Sequence, residues 1–264
     1  MPWGRLRLWE AGEGPVPILA VHGLGGSGRY WDGLAEAAGD RYRVLAPDLG
    51  GFGGSSAPAE PADRTFHGHA LDPVVEEAGS PVVVIGHSLG GVLGLLWAGS
   101  RAGSAPALAM ASSPFPSSKP DWEPARWSGR RRIVPRTLVS ATKTVWPVLS
   151  VPVQALGPYP AQVVRDYGRQ SLRSRVWTLW SLWGEPGLEV EVRAAANSLR
   201  RTSVLLAYAD DDRSVAATDF ERWAAFLPGA EHLRVPTGGH QFLLRDRFAS
   251  IAPWLQGLAV GDPG

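Results

Sequence analysis

Pro81-Val82-Val83-Val84-Ile85-Gly86-His87-Ser88-Leu89-Gly90-Gly91-Val92-Leu93-Gly94-Leu95-Leu96-Trp97-Ala98 is the stretch whose reading decides the fold. Its opening run, Pro81 to Ile85, is apolar, largely β-branched and uncharged, which predicts a short buried strand. Gly91 to Ala98 predicts a buried helix. Between them lies a Gly-x-Ser-x-Gly turn, and a strand, this turn and a helix in direct succession raise a serine hydroxyl above the end of a sheet. Side chains at 86 or 90 would strike the strand or the helix, so both are glycine. The same tightness predicts a strained backbone at Ser88, at the positive end of the following helix.

Working outward, strand and helix signals alternate. Arg5 to Trp9 reads as an edge strand and Pro17 to Val21 as a buried one ending at His22-Gly23. Tyr30 to Ala38 reads as a helix, Tyr42 to Ala46 as a strand closed by Pro47-Asp48, Leu71 to Ala78 as a helix, and Ala105 to Ala111 as a strand. Such alternation predicts an α/β fold with a mostly parallel central sheet flanked by helices. At Ser112 the texture changes. Turn residues cluster around Pro114-Phe115-Pro116, and helical signals then dominate, notably Ala161 to Gly184. The expected organisation is a core of residues 1–114 and 197–264 interrupted by a helical insertion at 115–196. Beyond it the alternation resumes: strand Ser203 to Ala209, helix Ala217 to Leu227, strand His232 to Pro236, and helix Phe242 to Leu258 interrupted by Pro253.

A chain of 264 residues supports one large domain with a substantial core. A net charge of +1 points to no nucleic-acid partner. The absence of cysteine removes disulfides, thiolate metal sites and a cysteine nucleophile, and fits a reducing, cytoplasmic setting. No signal peptide is read at Met1 to Trp9, and no uncharged apolar run is long enough to span a bilayer. The tryptophans of the 115–196 span, Trp122, Trp146, Trp177 and Trp180 among them, point to a small apolar molecule as the expected partner.

A serine hydroxyl is a poor nucleophile until a base stands within hydrogen-bond reach, and that base needs a carboxylate to fix its tautomer. In α/β sheets such groups collect past the carboxyl ends of strands. His87 lies inside the turn and is expected to point away from Ser88. His22 is expected to shape the loop it opens, and His67, His69 and His232 sit at ordinary positions. His240 follows the last strand across Thr237-Gly238-Gly239, so it is the candidate base. The acid falls within Asp210-Asp211-Asp212, past the penultimate strand; Asp212 ranks first, with Asp211 and Asp210 behind it. The glycine-rich loop His22-Gly23-Leu24-Gly25-Gly26-Ser27-Gly28 can offer an unobstructed backbone N–H to a developing oxyanion. Leu24 N–H and Leu89 N–H are the candidate donors. The loop lacks the Gly-Lys-Ser/Thr ending of a phosphate-binding P-loop.

These features together resemble the α/β-hydrolase superfamily, in its cap-bearing serine branch. His22-Gly23-Leu24-Gly25 is similar to the family's oxyanion loop, Asp48-Leu49-Gly50-Gly51-Phe52-Gly53-Gly54-Ser55 to its Asp-x-x-Gly-x-Gly-x-Ser segment, and Gly239-His240 to its histidine loop. The order Ser88, Asp212, His240 is also the family's order. The resemblance implies a carboxylic ester or thioester hydrolase that needs no cofactor and no metal, and its register places the acid at Asp212. The same site could serve acyl transfer, cyclisation or carbon–carbon cleavage, although Gln241 stands where carbon–carbon hydrolases often carry tryptophan. A binding protein with little turnover is a further class the fold permits. In such proteins the insertion roofs the site. Here it holds Trp122, Trp127, Trp146, Trp177, Trp180 and Trp183, so Trp122, Trp146, Trp177 and Trp180 are expected to line an apolar pocket, with Phe52 at its mouth. Arg130-Arg131-Arg132 with Arg136 forms a basic cluster in the same insertion.

Overall fold

A computed structural model describes residues 6–79, 82–101, 103–116, 159–183 and 187–260. Its centre is a seven-stranded sheet: β1 (Leu8–Ala11), β2 (Val16–Val21), β3 (Tyr42–Pro47), β4 (Val83–His87), β5 (Ala107–Ala111), β6 (Ser203–Ala209) and β7 (Glu231–Val235), in the order β1-β3-β2-β4-β5-β6-β7. β1 pairs antiparallel with β3, and every other pairing is parallel. β2, β4 and β5 are buried at every residue, as their almost wholly apolar sequences, broken only by His87 at the end of β4, require of strands covered on both faces.

Strand alternation divides the core in two. On one face Leu19, Val21, Val84, Leu108 and Leu206 meet α2 (Arg64–Ala78), α3 (Leu89–Gly99) and α6 (Leu188–Ser198). On the other, Ile18, Ala20, Val83, Ile85 and Leu205 meet Tyr30, Trp31, Leu34, Phe248 and Leu255. The second face is covered by α1 (Leu34–Ala38) and α9 (Ala252–Gly257), joined by a short 3₁₀ turn at Gly28–Trp31. The remaining described helices are α4 (Ala161–Tyr167), α5 (Leu172–Trp183), α7 (Ala217–Phe226) and α8 (Phe242–Arg245).

Several expected elements shift. The helix expected from Tyr30 resolves into the 3₁₀ turn and α1, separated by Gly33 at φ 93°. α2 begins at Arg64 and not Leu71, because the Asp63 carboxylate accepts the Phe66 N–H (2.8 Å) and so caps the helix there. Pro73 lies inside it; the buried stripe Phe66, Ala70, Leu71, Val74 and Val75 outweighs the lost backbone bond. The helix expected over Ala161 to Gly184 is split between α4 and α5, where Ser171 N–H turns to the Gly51 carbonyl (2.6 Å). The C-terminal helix is broken well before Pro253, at Arg247 and Phe248, which both take positive φ (53° and 64°). α6, within the span expected as insertion, packs directly on α3: a side chain at Gly99 would collide with Ala195. Trp122, Trp127, Trp146 and the Arg130–Arg132 and Arg136 cluster lie outside the described residues. Among those described, no helix is long and apolar enough to cross a membrane.

Candidate active site

The order β3-β2-β4 reverses the direction of winding at β2 and β4, and in open α/β sheets ligands bind above such a point. The loops leaving these two strands are His22–Gly28 and the Ser88 turn. Ser88 has φ 54° and ψ −123°, a sparsely populated conformation for a residue with a Cβ. Close packing enforces it. A Cβ on Gly86 would strike the Gly90 carbonyl, and one on Gly90 would strike the carbonyl of Val21. The turn therefore projects Ser88 Oγ outward at the first turn of α3, whose helix dipole favours negative charge there.

Ser88 Oγ lies 3.1 Å from His240 Nε2, and His240 Nδ1 lies 2.9 Å from Asp212 Oδ2. With Nδ1–H donating to the carboxylate, Nε2 is left unprotonated to accept the serine proton. Asp212 Oδ1 accepts the N–H groups of Ser214 (2.8 Å) and Val215 (3.1 Å). Burial pushes this carboxyl's pKa up. The His240 bond and charge, with those two N–H groups, outweigh the burial and hold it below the ordinary aspartate value. The neighbouring aspartates do other work. Asp211 Oδ1 accepts the Gly239 N–H (2.7 Å), pinning the loop that carries His240, while Asp210 pairs with Arg234 (2.5 Å) at the surface.

His87 does point away from the serine. Its Nε2–H donates to the backbone carbonyl of His240 (2.7 Å), and its ring stacks on Tyr30 at 4.6 Å. Burial, aided by the nearby His240, pushes its pKa down to about 3, so it remains a neutral prop. His87, stacked on Tyr30, thus braces His240, a role that residue order alone did not reveal.

His22 shapes its loop. Its Nδ1–H donates to the Gly23 carbonyl (2.7 Å) and its Nε2 accepts the Leu49 N–H (3.0 Å). Asp48 accepts the N–H groups of Gly28 (2.6 Å) and Gly54 (2.6 Å), tying this loop to the one after β3. Gly23 lies against the serine: a Cβ there would come within 3.0 Å of Ser88 Cβ. Leu24 follows at once, and Leu89, as the first residue of α3, has an N–H with no carbonyl one helical turn back. The two candidate donors therefore flank Ser88.

A cavity of about 450 Å³ opens above these groups. Ser88, His240, Gly23 and Leu24 form its floor, and Tyr30, Tyr159, Val163, Val164, Tyr167, Ser214 and Gln241 its walls. Among the described lining residues none is Lys, Arg, Asp or Glu. The expected aromatic lining needs correction. Phe52 is fully buried, its ring 5.8 Å from His22 and 6.1 Å from His67, because the Leu49–Ser55 turn folds back around Asp48. Trp177 and Trp180 pack edge to face at 5.5 Å on α5 and are not among the described lining residues. The described wall is instead built by α4 and Tyr159, which no spacing of large residues in the sequence singles out.

The family model for the alpha/beta hydrolase fold matches residues 16–246, and the chain belongs to that family. An uncharacterized protein of Mycobacterium tuberculosis is 33% identical over 89 residues, 33% of this chain and 26% of its own length; the chain thus aligns with about a quarter of that relative. A protein of Klebsiella pneumoniae named "Putative carbamate hydrolase RutD" is 25% identical over 261 residues, 90% of this chain and 93% of its own. Among solved structures, a thermophilic esterase from Thermogutta terrifontis superposes with a TM-score of 0.73 at 18% identity, covering 95% of this chain and 93% of that one. A thioesterase domain from the curacin biosynthetic pathway gives 0.69 at 21% identity, covering 94% of both chains.

Proposed function

We propose that the protein is a serine hydrolase that cleaves a carboxylic ester or thioester with a neutral, apolar acyl group. The observation that carries this reading is the continuous path from Ser88 Oγ through His240 to Asp212, at 3.1 and 2.9 Å, built on a serine strained to φ 54°. Ser88 Oγ attacks the carbonyl carbon as its proton passes to His240 Nε2, and the oxyanion accepts N–H bonds from Leu24 and Leu89. Collapse expels the alcohol or thiol, which takes the proton from His240, and leaves an acyl-enzyme on Ser88. Water then attacks that ester, His240 accepts its proton, and the acid departs as Ser88 is restored. No cofactor or metal enters these steps. Within the 115–196 span, Tyr159 and α4 serve as the described part of a cap over the site, whereas α6 belongs with the core on α3. The uncharged described lining supports a neutral acyl group over an anionic one, since a buried carboxylate without a cation is costly. A carbamate, as the name of the Klebsiella relative suggests, would present its carbonyl to the same donors, but an anionic one would meet no cation in that lining.

Labelling with a fluorophosphonate probe tests the nucleophile. Wild-type protein is expected to gain one phosphonyl adduct by intact mass, and Ser88→Ala and His240→Ala to gain none. Folded wild-type protein that stays unlabelled would remove the activated serine. Paired p-nitrophenyl esters of equal length, with and without a terminal carboxylate, test the acyl class. The neutral ester should be favoured at least tenfold in kcat/KM, and equal turnover of both would sink the assignment.

A further inference from the structure

The loop that carries Leu24 is held from two sides. From the core, His22 fixes the Gly23 carbonyl and Asp48 fixes the Gly28 N–H. From the opposite side comes α4. Its Asp166, only 3% exposed, accepts the hydroxyl of Ser27, equally buried, at 2.6 Å. In the same stretch Tyr167 lies against Gly25, where a Cβ would stand 2.6 Å from Tyr167 Cδ2. Gln170, whose Nε2 donates to the Tyr167 carbonyl (2.9 Å), lies against the same glycine. One helix of seven residues thus clasps the loop with Asp166 and Tyr167 while Val163, Val164 and Tyr167 face the cavity.

We propose that Asp166 is a positioning residue: acting through Ser27, it sets the Leu24 N–H toward the oxyanion and couples that donor to acyl occupancy of the cavity. The proposal rests on the serine-hydrolase reading and deepens it. An acyl group that packs on Val163, Val164 and Tyr167 seats α4, and α4 seats the loop. A short acyl group leaves the helix less supported, so it reacts from a less well-placed donor. Longer neutral acyl chains therefore raise kcat as well as lowering KM.

Ser27→Ala removes one oxygen and breaks the link with little change in volume. Asp166→Leu breaks it from the other side, and Asp166→Asn retains an acceptor. Loss of a whole oxyanion donor costs about 10²–10³ in kcat, so misplacement of one should cost roughly tenfold. Ser27→Ala and Asp166→Leu are expected to lower kcat on a hexanoyl ester by about that factor with KM within twofold. Both should weaken binding of a trifluoromethyl ketone, which forms the tetrahedral oxyanion, by the same factor. The double variant should be no worse than either single one, and Asp166→Asn should recover most of the rate. In both broken variants kcat should no longer differ between acetyl and hexanoyl esters. Unchanged kcat and ketone affinity in folded Ser27→Ala, or losses that multiply in the double variant, overturn the proposal while the serine-hydrolase reading stands. A second arm needs no turnover. Amide hydrogen exchange of residues 23–28 should quicken in Ser27→Ala and Asp166→Leu, and unchanged exchange there defeats the coupling even if the wild type hydrolyses no ester.

Discussion

At the scale of single residues, three adjacent aspartates show what position in a turn decides. Asp210-Asp211-Asp212 is chemically uniform as a sequence, and the ranking of Asp212 rested on register alone. The structure separates them through one turn, in which Asp212 N–H donates to the Ala209 carbonyl (3.1 Å) and swings the third carboxylate inward. Asp212 meets His240, Asp211 holds the Gly238–Gly239 backbone, and Asp210 stays at the surface with Arg234. Asp212→Asn should therefore lower kcat by about 10³–10⁴ with the fold intact, since the amide cannot hold the same imidazole tautomer. Asp210→Asn should stay within about twofold, because exposed ion pairs contribute little. Asp211→Ala should fall between, loosening the loop on which His240 stands. Steady-state rates on one ester rank the three, and a severe loss for Asp211→Asn with a mild one for Asp212→Asn would reassign the acid. Ser88 and His240 were legible in the sequence because their neighbours are forced: glycines before and after the serine, a glycine turn before the histidine. His87, Tyr30 and Ser27 were not, because what they do depends on partners brought in from other elements.

Among the elements, the buried strands were read well, while the edge strand β1, expected at Arg5 to Trp9 and found at Leu8–Ala11, and the helices were read unevenly, for a physical reason. A strand in a parallel sheet is apolar on both faces, so Val83–Ile85 and Ala107–Ala111 announce themselves as continuous runs. A helix is identified by its period and its ends, and the first half of α2, where Arg64, Thr65, His67, Gly68 and His69 leave few apolar positions, shows little of either. The cap at Asp63 is the feature that restores it. Asp63→Ala should cost about 1 kcal/mol, the usual value of an N-cap, and lower the melting temperature by roughly 2–4 °C. Thermal unfolding followed by circular dichroism measures this, and an unchanged midpoint would mean that packing against β3 and α3 alone holds the first turn. The cavity wall was the least legible part. Val163, Val164 and Tyr167 are ordinary residues of a seven-residue helix, and only its docking on the Gly23–Gly28 loop turns them toward Ser88. The tryptophans at helical spacing drew attention instead, and Trp177 and Trp180 meet edge to face on α5 without entering the described cavity lining.

On the scale of the whole molecule, burial of neutral histidines links stability to pH. His22, His67 and His87 are enclosed in the layers around the sheet, and burial lowers the pKa of each. For His67 and His87 the folded value is about 3, against 6.5 for the exposed side chain. Between these values the unfolded chain binds protons that the folded chain does not. Their contribution to stability is therefore fully present above pH 6.5 and is lost progressively as the pH falls toward 3. Each such histidine contributes a slope of about 1.4 kcal/mol per pH unit once the unfolded form is protonated. Two of them remove roughly 2–3 kcal/mol for each unit below that point, a large share of the 5–15 kcal/mol typical of a folded domain. Asp212 works in a different window. Its lowered pKa gives stability that persists above the unfolded aspartate value and is lost only as pH falls through the folded value, below the onset of the histidine effect. Urea unfolding at pH 7.5, 6.5 and 5.5 should show a steep loss between the last two points, and His67→Gln should reduce that slope while starting from a lower stability. The loss should be as large in Ser88→Ala as in the wild type, because it belongs to the packed histidines and not to turnover; a stability that stays level from pH 7.5 to 5.5 would mean that these histidines gain protons without unfolding the layers around them.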